Sequence, residues 1–287
     1  MFDTAIIGTG PAGLSAALTL KMRGKDLIWF GSDQFSGKVE KSEKIGNYPG
    51  VGMVTGQELN ERFRQQAAEL DLKVTDRMVT NITDMGSYFM LLADNEVYEA
   101  RSVLLSTGVV ASKTFPGEEA LLGRGVSYCA TCDGMFYKGK TIAVFCGAAR
   151  YEHEVNYLAD MASKVYLMPA YRPCGISRDN VELITSPIKE VMGTTRVSAL
   201  RLGSGEELPV DGFFCLRGAI APATLLPGLK LNGPHIEVDR QQATNIAGCF
   251  AAGDCTGTPY QIAKAVGEGN IAAHAILDYL AETPDTK

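Results

Sequence analysis

Apolar residues occur in this chain as short blocks, each closed by a glycine turn or followed by a helical repeat. Thr4-Ala5-Ile6-Ile7 has the continuous apolar character of a strand buried on both faces. Gly8-Thr9-Gly10-Pro11-Ala12-Gly13 turns it into an Ala- and Leu-rich stretch that reads as a helix ending near Gly24, and Leu27-Ile28-Trp29-Phe30 predicts the next parallel strand. A helix is expected from Gly56 to about Leu70, short strands between about Lys73 and Leu92, and a further strand from Arg101 to Ser106. The pattern breaks at residues 111–118, where Ser112, Pro116 and Gly117 mark a crossing into a second unit. A new strand–turn–helix begins at Thr141-Ile142-Ala143-Val144-Phe145. The chain crosses back near Ala219 to Pro227 and closes with an Ala-rich helix from about Gln261 to Leu280. The expected architecture is α/β, with two Rossmann-like, three-layer ββα domains. The first comprises residues 1–112 and 220–287, and the second, residues 113–219, is inserted into it.

Composition narrows the class. The 287 residues are 46% hydrophobic and 21% charged, as in a soluble globular protein of two ordinary domains. No apolar run approaches the ~18 residues of a membrane span. The chain opens directly on a strand pattern, so no signal peptide is expected. Seven cysteines, five of them scattered, argue for a reducing cytoplasm and against an extracellular disulfide framework. A net charge of −6 without a basic run speaks against a nucleic-acid partner.

Two motifs carry chemistry. Cys129-Ala130-Thr131-Cys132-Asp133 puts two thiols at a spacing that lets both sulfurs come within bonding distance in a tight turn, a context that can lower a thiol pKa. Asp133 stands beside them as a candidate to move the proton each cycle takes up or releases. A CxxC also forms half of a zinc site. Here no second CxxC exists and His153, His235 and His274 are not at ligand spacing, so no metal is expected. The other motif is the glycine turn itself. Gly8 permits the tight bend, Gly10 lets a pyrophosphate approach the backbone, and Gly13 lets helix and strand pack closely. The helix N-terminus offers free N–H groups to the phosphates.

Five ordered motifs, GTGPAG from Gly8, NYPG at Asn47–Gly50, STG at Ser106–Gly108, CATCDG at Cys129–Gly134 and AAGD at Ala251–Asp254, run the length of the chain. With them it resembles the low-molecular-weight flavoprotein thioredoxin reductases. That resemblance implies FAD in the first domain, held by Gly8, Gly10, Pro11, Ala12 and Gly13 at the pyrophosphate and by Asp254 near the ribityl chain. By the same resemblance Asn47, Thr107, Gly108, Gly253, Gln261 and Ile262 also belong to the cofactor site. It further implies a homodimer and a thioredoxin substrate. Cys132 would exchange electrons with the flavin, Cys129 would attack the partner disulfide, and Asp133 would serve as acid and base. A dithiol packed on the flavin cannot also reach a protein disulfide, so motion about the crossings near 111–118 and 219–224 is expected.

The resemblance fails at one place. A pyridine-nucleotide site in the inserted domain needs a second glycine turn after Phe145, but the residues there are Cys146-Gly147-Ala148-Ala149-Arg150-Tyr151. Cys146, Ala148 and Tyr151 stand at the three fingerprint positions, and Glu152 and Glu154 add negative charge where phosphates would bind. The basic cluster that the family uses for a 2′-phosphate is reduced to Arg172, after Pro169-Ala170-Tyr171. Flavin motifs and dithiol are intact while both nucleotide features are degraded. This combination resembles the ferredoxin-dependent flavin thioredoxin reductases. Plant-type ferredoxins near −400 mV and thioredoxin near −270 mV leave a two-electron drop on the order of 6 kcal/mol. Lys38, Lys41 and Lys44, or Lys138, Lys140 and Arg150, are the candidate docking cations. The competing readings are an oxygen-using FAD-dependent dithiol oxidase, an NADPH-dependent reductase with an atypical nucleotide turn, and a flavin-bound sensor or scaffold. Cys146, Cys174, Cys215 and Cys249 read as small buried hydrophobes, and Cys255 is placed beside the flavin motif.

Overall fold

A computed structural model describes residues 1–94, 96–108, 114–128, 130–217 and 222–283, with the backbone alone at Cys132. The chain divides into two compact units, Met1–Val110 with Ile220–Lys287, and Ala111–Ala219.

The first unit begins with β1 (Phe2–Ile7), α1 (Pro11–Met22), β2 (Leu27–Phe30), the short α2 (Gly37–Glu40) and α3 (Gly56–Glu69). Strands β3 (Val74–Thr75), β4 (Val79–Asp84), β5 (Phe89–Ala93) and β6 (Glu96–Leu105) follow. Thr55 and Glu58 start α3 with a reciprocal capping box, in which the Glu58 N–H donates to Thr55 Oγ1 at 3.2 Å and the Thr55 N–H to Glu58 Oε2 at 2.7 Å.

The second unit contains β7 (Val126–Ser127), α4 (Ala130–Asp133), β8 (Thr141–Cys146), α5 (Glu152–Met161), β9 (Lys164–Pro169) and β10 (Val181–Leu183). It continues through β11 (Ile188–Gly193), β12 (Val197–Leu202), β13 (Glu207–Pro209) and β14 (Gly212–Leu216). A parallel sheet in the order β10-β9-β8-β14-β7 forms its centre, and β11-β12-β13 make a separate antiparallel sheet. The two sheets share one core, in which Val191, Leu200 and Leu208 meet Phe213 and Cys215.

The chain then returns to the first unit with α6 (Pro222–Leu225), β15 (Leu231–Asn232), β16 (His235–Ile236), β17 (Cys249–Ala251) and α7 (Ile262–Glu282). Its sheet runs β3-β2-β1-β6-β5-β4, with β17 also on β6. Strand β6 starts earlier than the apolar run alone predicts, because its first half pairs antiparallel with β5 and only its last three residues pair parallel with β17. Helices α1 and α7 pack through small residues on the face of this sheet. A Cβ at Gly269 would lie 2.1 Å from the Ala12 carbonyl oxygen, so this contact needs glycine. Among the described residues no helix is long and apolar enough to cross a membrane.

Candidate functional site

The turn after β1 is held from beneath. The Gly8 N–H donates to the Phe30 carbonyl at 2.8 Å, and the Gly8 carbonyl accepts from Trp29 Nε1 at 2.8 Å and from Ser106 Oγ at 3.2 Å. Gly8 has φ +117°, and a Cβ there would sit 2.3 Å from the Ser106 carbonyl oxygen; one at Gly13 would sit 2.0 Å from the Gly8 carbonyl oxygen. The protein's own packing therefore requires both glycines. Gly10 is different. It is extended, at φ −74° and ψ 179°, and a Cβ there would meet nothing within 4 Å. It is also the N-cap of α1, no side chain caps it, and Pro11 occupies the first turn. The result is an open cradle below the free N–H groups of a twelve-residue helix, suited to an anion that must approach the backbone.

The ends of β6 and β17 complete this site. Ala251 lies in register with Leu105, which brings Thr107 and Gly108 beside the Ala251–Asp254 turn. A Cβ on Gly253 would stand 3.0 Å from that of Ala12, so this turn also adjoins the cradle. Helix α7 fixes the turn with a pair the sequence reading passed over. Lys264 Nζ donates to the carbonyls of Gly253 and Gly257 at 2.8 and 2.7 Å, while Glu268 Oε2 accepts from the Gly253 N–H at 2.9 Å. Their i,i+4 spacing was the available signal. Asn47 Nδ2 donates to Gln261 Oε1 at 2.8 Å, joining the NYPG segment to the residue that precedes Ile262 and α7. The Thr107 hydroxyl is buried without a hydrogen-bond partner. An orphaned hydroxyl and an open glycine next to a helix N-terminus fit a dinucleotide cofactor with a polar chain.

Asp254 itself is held by Lys38, whose Nζ lies 2.6 Å from Oδ2. The same ammonium is 4.7 Å from the centre of the Tyr260 ring, and the Tyr260 hydroxyl is 2.7 Å from His235 Nε2. Lys38 is therefore engaged at the candidate cofactor site, which changes its reading as a docking cation. Cys255 lies beneath this turn, its Sγ 3.3 Å from the Leu105 and Ala252 carbonyl oxygens. Burial pushes its thiol up to about 12, and that of Cys249 likewise, so both are inert small hydrophobes.

In the inserted unit, Cys129 and the Cys132 side chain lie outside the described residues. Asp133 closes α4 and precedes the 3-10 turn Gly134–Tyr137, with no side-chain capping bond. A Cβ on Gly134 would come 2.8 Å from the Tyr157 ring, which shows how closely this segment rests on α5. The crossings expected near 111–118 and 219–224 lie partly outside the described residues.

The turn after β8 is packed where the turn after β1 is open. Cys146 is buried, with Sγ 3.4 Å from the Ala148 carbonyl oxygen and 3.6 Å from the Tyr171 hydroxyl. The Tyr171 hydroxyl donates to Glu152 Oε1 at 2.7 Å, and the Gly175 N–H donates to the same oxygen at 2.7 Å. These bonds, the backbone one first, hold the Glu152 carboxyl below its usual range. Cys174 Sγ stands 3.9 Å from the same hydroxyl. Tyr151 is buried, with the Arg150 guanidinium over its ring at 4.8 Å. Lys140 likewise lies over Tyr137, at 5.4 Å. Tyr171 and Glu152 thus bind each other at the start of α5, beside the turn after β8. Among the described residues no group of three or more His, Cys, Asp or Glu side chains is arranged to hold a metal.

Known proteins of one family resemble this chain over nearly its whole length. A family model described as pyridine nucleotide-disulphide oxidoreductase matches residues 2–170 and 176–269. The thioredoxin reductase of Helicobacter pylori is 34% identical, over 98% of this chain and 99% of its own. A ferredoxin-flavin thioredoxin reductase from Clostridium acetobutylicum superposes with a TM-score of 0.90 at 42% identity, over 98% of each chain. A thioredoxin reductase from Gloeobacter violaceus gives a TM-score of 0.82 at 29% identity, over 100% of this chain and 96% of its own.

Proposed function

The chain belongs to the pyridine nucleotide-disulphide oxidoreductase family and, within it, to the thioredoxin reductases, and from that membership we propose that it reduces thioredoxin with electrons from reduced ferredoxin. FAD is the cofactor, held at the Gly8–Gly13 cradle, Thr107, Gly108 and the Gly253–Asp254 turn, with Asn47, Gln261 and Ile262 at its edge. Bound there, FAD would supply chemistry that couples one-electron donors to a two-electron acceptor. Two ferredoxin encounters supply two electrons, and two protons complete the reduction of the Cys129–Cys132 disulfide. Cys129 thiolate then attacks a thioredoxin sulfur and displaces the other as a thiolate. Cys132 attacks Cys129 in turn, releasing dithiol thioredoxin and restoring the disulfide. Asp133 moves the protons. The setting is a reducing cytoplasm, and the working form is a homodimer.

One observation carries the choice of electron donor. Cys146 and Tyr151 are buried at the second nucleotide turn, and the Glu152 carboxylate, held at 2.7 Å by both the Tyr171 hydroxyl and the Gly175 N–H, stands at the start of α5, where a pyrophosphate would need to bind. The Clostridium acetobutylicum relative is named for ferredoxin and flavin, which supports the same choice. The test is anaerobic turnover with reduced ferredoxin and thioredoxin, followed by free-thiol titration. Turnover that requires ferredoxin and is lost in Cys129→Ser and in Cys132→Ser is expected. Equal turnover with NADPH alone would overturn the donor assignment, and rapid flavin reoxidation by oxygen with peroxide release would favour a dithiol oxidase.

A further inference from the structure

Two further thiols of the inserted unit converge on one oxygen. Cys146 ends β8 and is fully buried, while Cys174 is only half-buried, on the irregular stretch between β9 and β10. The sequence alone reads both as small buried hydrophobes, which holds for Cys146 only. Cys146 Sγ lies 3.6 Å from the Tyr171 hydroxyl oxygen and Cys174 Sγ lies 3.9 Å from it, so the two sulfurs are no farther apart than those distances together. Sheet register brings them there. Cys146 pairs with Pro169 at the ends of β8 and β9, and the Ala170 N–H donates to the Cys146 carbonyl at 2.9 Å, so the stretch that carries Cys174 starts beside Cys146.

The groups behind that oxygen can handle protons. A phenol has one hydrogen, and Tyr171 commits it to Glu152 Oε1 at 2.7 Å, which leaves the oxygen's lone pairs for the thiols. Burial first, and then the Glu152 bond, push the Tyr171 phenol far above its ordinary pKa, so it stays neutral at any working pH. Glu152 accepts from the Gly175 N–H at 2.7 Å and from the Cys174 thiol as well. Gly175 allows that approach, since a Cβ there would come 2.7 Å from Glu152 Oε2. Held below the usual carboxylate range chiefly by the Gly175 bond, Glu152 is ionised. It can take a proton directly from Cys174, or from Cys146 through the Tyr171 hydroxyl. Cys146 needs such a route, because burial raises its thiol pKa and shuts it off from solvent.

We propose that Cys146 and Cys174, grouped around the Tyr171 hydroxyl, form a second reversible dithiol–disulfide pair that is oxidised by small-molecule disulfides of the surrounding thiol pool. Cys174, the accessible thiol, gives its proton to Glu152 and attacks a disulfide RSSR, forming a Cys174–S–S–R bond and releasing RS⁻. Cys146 then passes its proton through Tyr171 and attacks Cys174 Sγ, displacing the second RS⁻. Two protein thiols are oxidised to one disulfide, one RSSR is reduced to two RSH, and both protons end on the departing thiols. The sulfurs must close to a bond of about 2 Å. Cys174 makes that movement, because its stretch lies outside the sheet while Cys146 is fixed in β8. The pair is independent of which donor reduces the flavin.

The experiment uses flavin-loaded protein carrying Cys129→Ser and Cys132→Ser, which takes the other dithiol out of the exchange. It is equilibrated anaerobically in glutathione buffers of graded disulfide-to-thiol ratio, quenched with acid and alkylated, and its peptides are read by mass spectrometry. Expected is a peptide pair linked from Cys146 to Cys174 that grows as the ratio rises and disappears on return to reduced glutathione, with Cys215, Cys249 and Cys255 unmodified. Cys146→Ser should halt the reaction at a glutathione adduct on Cys174, and Cys174→Ser should abolish both adduct and link. Tyr171→Phe should slow closure of the adduct by about a hundredfold, as loss of a proton route does. Absence of the linked peptide at every ratio, or an adduct on Cys174 that persists with Cys146 present, overturns the proposal, and that result depends on no further variant folding. Closure at an unchanged rate in Tyr171→Phe overturns the role given to the shared hydroxyl.

Discussion

Gly10→Ala separates what the fold needs from what the cofactor needs. Backbone dihedrals of −74° and 179° suit alanine, and the added Cβ would have no protein atom within 4 Å. Loss of unfolded-chain entropy then makes the apoprotein slightly more stable, by about 0.4–1 kcal/mol. If the flavin pyrophosphate lies against this residue, the same methyl overpacks the bound state at a cost of about 1–3 kcal/mol. That corresponds to a loss of affinity of roughly 5- to 150-fold. The assay is reconstitution of apoprotein with FAD, followed by flavin fluorescence quenching, together with thermal melts of the apoprotein. Weaker FAD binding with an unchanged or higher apoprotein melting temperature is expected. Wild-type FAD affinity in Gly10→Ala would refute the placement of the pyrophosphate. Gly13→Ala makes the contrasting case, because its Cβ would fall 2.0 Å from the Gly8 carbonyl oxygen and must destabilise the apoprotein as well.

Three further outcomes follow from the geometry. Arg217 Nη2 lies 2.8 Å from the fully buried Glu118 carboxylate, so Arg217→Met alone leaves that charge without its cation and should destabilise by about 3–5 kcal/mol in urea unfolding, whereas the paired Glu118→Gln/Arg217→Met change should recover much of that loss. Lys38→Met removes an ion pair whose lysine side chain is 64% exposed, so stability should change by less than about 1 kcal/mol, again by urea unfolding. Cys249 and Cys255 hold their protons in the folded state up to about 12 but release them near the ordinary 9.0 once unfolded. Raised folded values mean their contribution is intact below pH 9 and is lost as pH rises from 9 towards 12. The melting temperature of Cys255→Ala should accordingly fall less steeply than wild type between pH 9 and 11.

Much of the first unit was legible because its signals are local. The β1 run, the glycine turn and the helix after it follow one another within about twenty residues, and each constrains the next. The packed turn after β8 was also legible, since a Cβ at Ala148 and a ring at Tyr151 are facts of residue type. The partner that fills it was not: Tyr171 meets Glu152 only because β8 and β9 are neighbours in the sheet. Lys38 illustrates the same limit. In the sequence it is one of several lysines interrupted by Glu40 and Glu43, and only the fold brings it to Asp254, 216 residues away. Glu118 and Arg217 are 99 residues apart and carry no motif, so nothing short of the folded core announces them. The antiparallel β11–β13 sheet was missed because its alternation is short and interrupted by turns.

If the packed turn after β8 excludes a nicotinamide nucleotide, as proposed, the flavin takes its electrons from ferredoxin alone, and one anaerobic titration decides between the donors. NADPH, then NADH, then reduced ferredoxin are added to the flavin-loaded enzyme while the flavin absorbance is followed. Bleaching should occur only at the third addition; bleaching by either nucleotide at stoichiometric concentration would show that the turn after β8 still admits it.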